Sequence, residues 1–254
     1  MLHGWPQSSF CWLPVADHLD PRHRIILPDL RGLGDSDRTT GVVPYRKREL
    51  ALDVLSMLDQ LGIEDFHLVG HDWGGAVAQE LTLIAPQRVR RLVMINICII
   101  NNRQGLLEAQ ALLNSRGNRV NWYQHFQQAK DLPEALIPGN EEAWLRYFLD
   151  RVPELAIQEY VRCYQIPGTP GAAAGLYRAF PDDIAHWTSL DGAVSAVDAL
   201  YIHGKRDPVV IPEFLNHAET CFNSLRIEYL DAGHFVPEEQ PVAVAGLIDE
   251  FLIY

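Results

Sequence analysis

The chain has 254 residues, of which 48% are hydrophobic and 21% charged, and a net charge of −12 from 21 basic and 33 acidic side chains. That composition excludes a disordered chain, and an acidic balance with no basic stripe excludes nucleic acid and anionic membrane surfaces as expected partners. No apolar stretch reaches the roughly 18 to 20 residues that a membrane-spanning helix needs. Cys11, Cys98, Cys163 and Cys221 lie far apart and form neither a CxxC pair nor a zinc spacing. A chain of this length buries a core without disulfide staples, so reduced thiols are expected. Met1 leads directly into Leu2-His3-Gly4 with no signal-peptide pattern, and the expected location is cytoplasmic.

In chain order, Arg24–Leu27 is a short apolar run closed by Pro28 and reads as a buried strand. Tyr45–Leu61 carries Leu50, Val54, Leu55, Leu58 and Leu61 at helical spacing, with Gly62 as its stop. Phe66–Val69 is a second strand, Ala76–Ile84 a helix ended by Pro86, and Arg91–Asn96 a third strand. This alternation predicts a parallel sheet flanked by helices. From Asn101 to Leu190 strand patterns fade, aromatics become frequent, and Pro133, Pro138, Gly139 and Pro167–Gly171 interrupt the chain; a mostly helical insertion is expected. The sheet pattern then resumes with strand Ala199–His203, helix Pro212–Thr220, strand Leu225–Leu230 and helix Pro241–Leu252. The implied organisation is a core over 1–100, an insertion over 101–190 and a second part of the core over 191–254.

The strongest chemical signal is Gly70-His71-Asp72-Trp73-Gly74-Gly75, between a predicted strand and a predicted helix. A G-x-nucleophile-x-G turn is tight enough to need near-bare neighbours and lifts its middle residue above the sheet. Taken alone it could equally be a glycine-rich loop with an N-capping aspartate. Asp207, in Gly204-Lys205-Arg206-Asp207-Pro208, and His234, in Gly233-His234-Phe235, each follow a later strand. The order nucleophile, acid, histidine at three strand ends turns a loop into a candidate catalytic set. His3-Gly4-Trp5-Pro6 adds an oxyanion-type loop, in which the backbone N–H groups of Trp5 and Trp73 face a developing negative charge.

Together with Asp29-Leu30-Arg31-Gly32-Leu33-Gly34-Asp35-Ser36, these motifs resemble the α/β-hydrolase fold, in the branch of epoxide hydrolases and haloalkane dehalogenases. The resemblance runs from His3 to the C-terminus. It implies a mostly parallel sheet with flanking helices and an inserted helical cap. An aspartate nucleophile attacks alkyl carbon and forms an ester, which His234, oriented by Asp207, hydrolyses by activating water. The insertion segments Asn121–Gln127 and Gly175–Phe180 resemble the family's two tyrosine-bearing segments. Tyr123 and Tyr177 are then implied as the groups that hold an epoxide oxygen. Trp5, Trp73, Trp122 and Phe235 are expected around the substrate, with Trp144, Tyr147 and Phe148 in support, and His71 and His125 as packing or rim residues.

The expected reaction is conversion of an apolar epoxide and water to a vicinal diol. No metal or nucleotide motif is present and no cofactor is expected. The rivals are a haloalkane dehalogenase, although Trp5 stands where those relatives often have asparagine, and a non-catalytic binding protein. Trp73 stands where fluoroacetate dehalogenases carry arginine. The sequence leaves the oligomeric state open, a homodimer included. The family also has two or three strands before HGxP, whereas only Met1 and Leu2 precede His3. The N-terminal strands therefore read as missing from a longer protein, and this length is expected to be poorly soluble or inactive until they are restored.

Overall fold

The computed structural model describes residues 1–117 and 120–253. Its elements are α1 (Leu13–Ala16), α2 (Lys47–Gln60), β1 (Phe66–His71), α3 (Trp73–Ile84), β2 (Val89–Ile95), α4 (Arg103–Ser115), α5 (Trp122–Gln128), α6 (Leu132–Leu136), α7 (Glu141–Phe148), α8 (Glu154–Tyr164), α9 (Thr169–Arg178), α10 (Phe180–Thr188), β3 (Ala199–Gly204), β4 (Leu225–Leu230), α11 (Val236–Glu239) and α12 (Pro241–Ile253). The four strands pair in the order β1-β2-β3-β4, all parallel. Every residue of β3 is buried, as are the last four of β2. That is why both strands read as continuous apolar runs rather than alternating ones. Helix α3 packs on β1 and β2 with α2 against it, and α1 packs with α11 and α12.

Between β2 and β3 the chain is helical, from α4 to α10. Some of its prolines and glycines mark helix boundaries. Pro133 and Pro170 sit in the first turns of α6 and α9, and Gly168 precedes α9 in the left-handed region at φ 90°. No described helix is long and apolar enough to cross a membrane.

Two expected elements form differently. Arg24–Leu27 is extended but belongs to no strand. The Met1 amine donates to the Ile26 carbonyl oxygen at 2.7 Å, but a strand exists only through a ladder of main-chain bonds. Leu2 bridges to Gly70 on the outer edge of β1. Beside it a groove of about 380 Å³, lined by Leu19, Ile26, Leu58, Phe66 and Leu68 among others, separates this segment from the rest of that edge. The helix expected over Pro212–Thr220 is two short 3-10 turns, Pro212–Leu215 and Ala218–Thr220, split at His217, whose φ is 64°. Asn102 Nδ2 donates to the Phe214 and Asn216 carbonyl oxygens, so these acceptors are satisfied from outside the helix.

A buried ion pair joins α2 to α10. Lys47 Nζ lies 2.9 Å from Asp183 Oδ2, with neither side chain more than 3% exposed, and 3.9 Å from the centre of the Trp73 ring. Burial pushes both groups toward their neutral forms, and each opposes that shift in the other. Replacing one partner strands the other charge. Lys47→Met is therefore expected to destabilise the fold by about 3–5 kcal/mol in denaturant titrations, and Lys47→Met with Asp183→Leu to recover most of that loss.

Candidate active site

Parallel strands bring the loops at their carboxyl ends together. Asp72 follows β1, Asn96 follows β2, Asp207 follows β3 and His234 follows β4. Asp72 has φ 49° and ψ −129°, a conformation that costs a non-glycine residue about 1–3 kcal/mol. Bare neighbours make it possible. A Cβ on Gly70 would stand 2.5 Å from the Gly74 carbonyl oxygen, and one on Gly4 would stand 2.4 Å from the Asp72 Cβ.

This close approach aims the Trp5 main chain at the carboxylate. Trp5 N–H donates to Asp72 Oδ1 at 2.8 Å, and the Trp73 N–H supports the same carboxylate. On the other side His234 Nε2 lies 3.5 Å from Asp72 Oδ2. His234 Nδ1 donates to Asp207 Oδ2 at 2.7 Å. Asp207 Oδ1 accepts from the Val209 and Val210 N–H groups at 2.7 and 3.0 Å, which fixes the plane of the acid. The three residues singled out from separate loops are thus in one hydrogen-bonded line.

The charges in this line set one another. Burial alone raises the Asp72 pKa, but hydrogen bonding and charge from His234 outweigh it and hold the carboxyl below its ordinary value. Burial alone lowers His234, but Asp207 and then Asp72 outweigh it and push the imidazole up to about 10. Asp72 is therefore ionised at neutral pH.

Tyr123 on α5 and Tyr177 on α9 are 8% and 2% exposed, with ring centres 5.7 Å apart. Both border a cavity of about 80 Å³ with Asp72 and Trp73. Burial, then nearby negative charge including that of Asp72, pushes both phenols well up, so they stay protonated and able to donate. Trp5 stacks on Tyr123 at 5.2 Å and packs edge-on to Phe148 at 4.9 Å and Tyr177 at 5.4 Å. Phe235 packs on His234 at 5.1 Å. Trp122 differs from expectation. Like Trp5 and Phe235, it is outside the cavity lining, which of the four expected residues includes Trp73 alone; unlike them it is 40% exposed, and it packs with Tyr147, Trp144 and Phe148 on the insertion. The helical period explains it: Tyr123 faces inward, and its immediate neighbour on α5 points elsewhere.

Residues 1–241 match the family described as the alpha/beta hydrolase fold. The chain belongs to that family. It is 30% identical to the AB hydrolase superfamily protein YfhM of Bacillus subtilis, across 99% of this chain and 88% of that one. It is 29% identical to a soluble epoxide hydrolase of Corynebacterium, across 95% and 85%. The solved structure of the epoxide hydrolase CorEH superposes with a TM-score of 0.76 at 27% identity, across 99% and 89%.

This alpha/beta hydrolase also uses residues to which the sequence assigned no chemistry. Asn96, with φ 44°, donates through Nδ2 to the Gly233 and His234 carbonyl oxygens at 3.0 and 2.9 Å, and its Oδ1 accepts from Gly204 N–H at 2.8 Å. It thereby ties the acid strand to the base loop. His71, expected as a packing or rim residue, is fully buried, and its Nε2 bonds the His234 carbonyl oxygen at 2.8 Å. An asparagine ending a strand tolerates the left-handed region, but its partners lie 100 or more residues away and leave no local signal.

Proposed function

We propose that this protein is an epoxide hydrolase that opens its substrate on Asp72. The observation that carries the reading is a carboxylate at a nucleophile turn with one oxygen on an oxyanion-type N–H, the other facing His234, and two protonated phenols around the same cavity. Serine at that turn would suit acyl transfer; a carboxylate suits displacement at alkyl carbon.

Asp72 Oδ2 attacks a ring carbon, and the breaking carbon–oxygen bond leaves its electron pair on the epoxide oxygen. Tyr123 and Tyr177 hold that oxygen, and one of them gives it a proton. The ester removes the Asp72 charge, which was one of the two that raised His234. The imidazole pKa falls, the ring releases its Nε2 proton to solvent, and the neutral ring becomes the base. His234 takes a proton from water as the hydroxide oxygen adds to the Asp72 carbonyl carbon. The oxyanion forms against Trp5 and Trp73 N–H. Collapse expels the diol alkoxide, which takes the proton from His234; the new Asp72 carboxyl then gives its proton to His234, and the tyrosine is reprotonated from solvent.

The cavity is lined by Ile97, Ile99, Ile100, Leu106, Val209 and Phe214, with the uncharged polar side chains of Gln110, Asn121 and Gln124. A cavity of about 150 Å³ accommodates benzene, so the smaller one here favours compact epoxides with one apolar substituent. The test is a single turnover in ¹⁸O-labelled water followed by mass spectrometry of the Asp72 peptide. Label is expected in Asp72 before it appears in diol; label confined to diol would rule out the ester route.

A second reading, carbon–halogen displacement, has one observation in its favour. Trp73 Nε1 is buried without a well-aligned hydrogen-bond partner, beside the Tyr177 hydroxyl, and such a donor suits a departing halide. In a mixed panel, halide release from bromoalkanes with no diol from epoxides would select it.

A further inference from the structure

A second buried line of polar groups runs behind the catalytic one. Tyr160 on α8 donates its hydroxyl to Glu238 Oε1 at 2.8 Å, and the side-chain amide of Gln7 meets Glu238 Oε2. The other end of that amide faces His71 Nδ1 at 3.1 Å, and His71 Nε2 is 2.8 Å from the His234 carbonyl oxygen. Glu238 is 6% exposed, Gln7 1%, and His71 and Tyr160 not at all.

Counting hydrogens along this line gives a definite result. A carbonyl oxygen only accepts, so His71 Nε2 carries a hydrogen. An amide has one donating and one accepting end, and either orientation of Gln7 fits the same outline. With the NH₂ toward Glu238, the Gln7 oxygen faces Nδ1, which must then also carry hydrogen. The line is a carboxylate and an imidazolium. With the oxygen toward Glu238, the carboxyl must donate, and the Gln7 NH₂ donates to a bare Nδ1. The line is a neutral acid and a neutral imidazole. Both arrangements hold one proton more than a carboxylate beside a neutral ring. Without that proton, two acceptors face each other inside the protein.

Burial selects the neutral arrangement, because two buried charges are avoided. It lowers His71 to about 4, with repulsion from His234 adding to the effect. It raises Glu238 to about 7 against the hydrogen bonds of Tyr160 and Gln7, with Glu239 repulsion in support. The other titratable groups nearby are Tyr160 and Cys11, both pushed well up by burial and so neutral. Helix α1 has none, and Asp249 and Glu250 of α12 pair with His23 and Arg226 instead.

We propose that Glu238 is a positioning residue that carries a proton in the folded protein, fixes the His234 main chain through Gln7 and His71, and ties helix α8 to the same point through Tyr160. This holds whatever substrate Asp72 attacks.

The test is Glu238→Gln, which puts an NH₂ where the carboxyl hydrogen stands and an oxygen where Tyr160 donates. The wild-type unfolded chain loses the Glu238 proton near 4.5 and the folded chain near 7. The Glu238 contribution to stability therefore falls as pH rises from about 4.5 to about 7, about 300-fold in the folding equilibrium. His71 makes the opposite contribution, which grows as pH rises from about 4 to 6.5 and is present in both chains, so the comparison of the two chains isolates that of Glu238. Glu238→Gln lacks this slope, so its melting temperature is expected to gain on the wild type across that window and stay higher at pH 8. Glu238→Leu, which serves neither Gln7 nor Tyr160, is expected to melt below Glu238→Gln at every pH. At pH 6 the infrared difference between wild type and Glu238→Gln is expected to contain a protonated-carboxyl band, which removes the shared signal of the other buried carboxyls Glu80 and Asp183. Parallel pH profiles, a Glu238→Gln chain that melts lower throughout or does not fold, or a difference spectrum without that band would each overturn the proposal.

Discussion

Asp72→Ala is expected to remove turnover altogether, a loss on the order of 10⁶-fold, whereas His234→Gln should leave the first half-reaction intact and stall the second. The asymmetry follows from the charges at the site. Asp72 is ionised in the free protein, held so by the charge and hydrogen bonding of His234, and ring opening does not need the imidazole as a base. Ester hydrolysis does, and general base catalysis is worth roughly 10²- to 10⁴-fold. With His234→Gln, mixing with an epoxide should give protein whose mass rises by that of one substrate, at a rate near the wild-type burst, followed by very slow diol release. Asp72→Ala should show no mass increase under the same conditions. If His234→Gln forms no adduct, while it folds and binds, His234 acts before the ester and the order of steps is different.

Asp207 strengthens the point through geometry. Its second oxygen is held by two main-chain N–H groups, so the acid cannot turn away when the charge on Asp72 is lost. The Asp207 hydrogen bond at His234 Nδ1 then leaves Nε2 as the nitrogen that takes a proton from water. In the free protein both carboxylates hold the imidazole charged; in the ester only one remains. On the proposed ester route the base is thus released by the step that creates the need for it.

How much of this was legible in sequence depended on range. Asp72, Asp207 and His234 each announce themselves within a few residues, because a tight turn or a loop at a strand end has local chemistry. Strand β4 was legible over its whole length, since the alternating segment Leu225-Arg226-Ile227-Glu228-Tyr229-Leu230 is the strand itself. Arg24–Leu27 has an equally good local pattern, but a strand depends on its neighbours, and the ladder it would need is absent among the described residues. Helix Pro212–Thr220 failed for a related reason. Asn102 supplies hydrogen bonds from more than 100 residues away, which makes the break at His217 affordable. Glu238 and Gln7 were invisible as a pair, since they are 231 residues apart and meet only in the folded core.

The two phenols carry the other large effect. Tyr123→Phe and Tyr177→Phe are each expected to slow ester formation by about 10- to 100-fold, and the double variant by roughly 10³-fold or more, because the epoxide oxygen then has no donor as its charge develops. Single-turnover mixing isolates that step, and the breakdown of an ester already formed should be nearly unchanged. The substitutions remove only hydroxyls, so the edge-on contacts of Tyr177 with Trp5 and Trp73, at 5.4 Å each, and the Trp5–Tyr123 stack remain. Packing is therefore held constant while donation is removed. A halide needs no proton to leave, so bromoalkane displacement, if the site supports any, should survive the double substitution. Equal losses on epoxides and bromoalkanes would mean that the phenols shape the cavity rather than serve the leaving oxygen. An unchanged epoxide rate in the double variant would place the acid elsewhere, with Trp73 Nε1 as the remaining buried donor on the cavity wall.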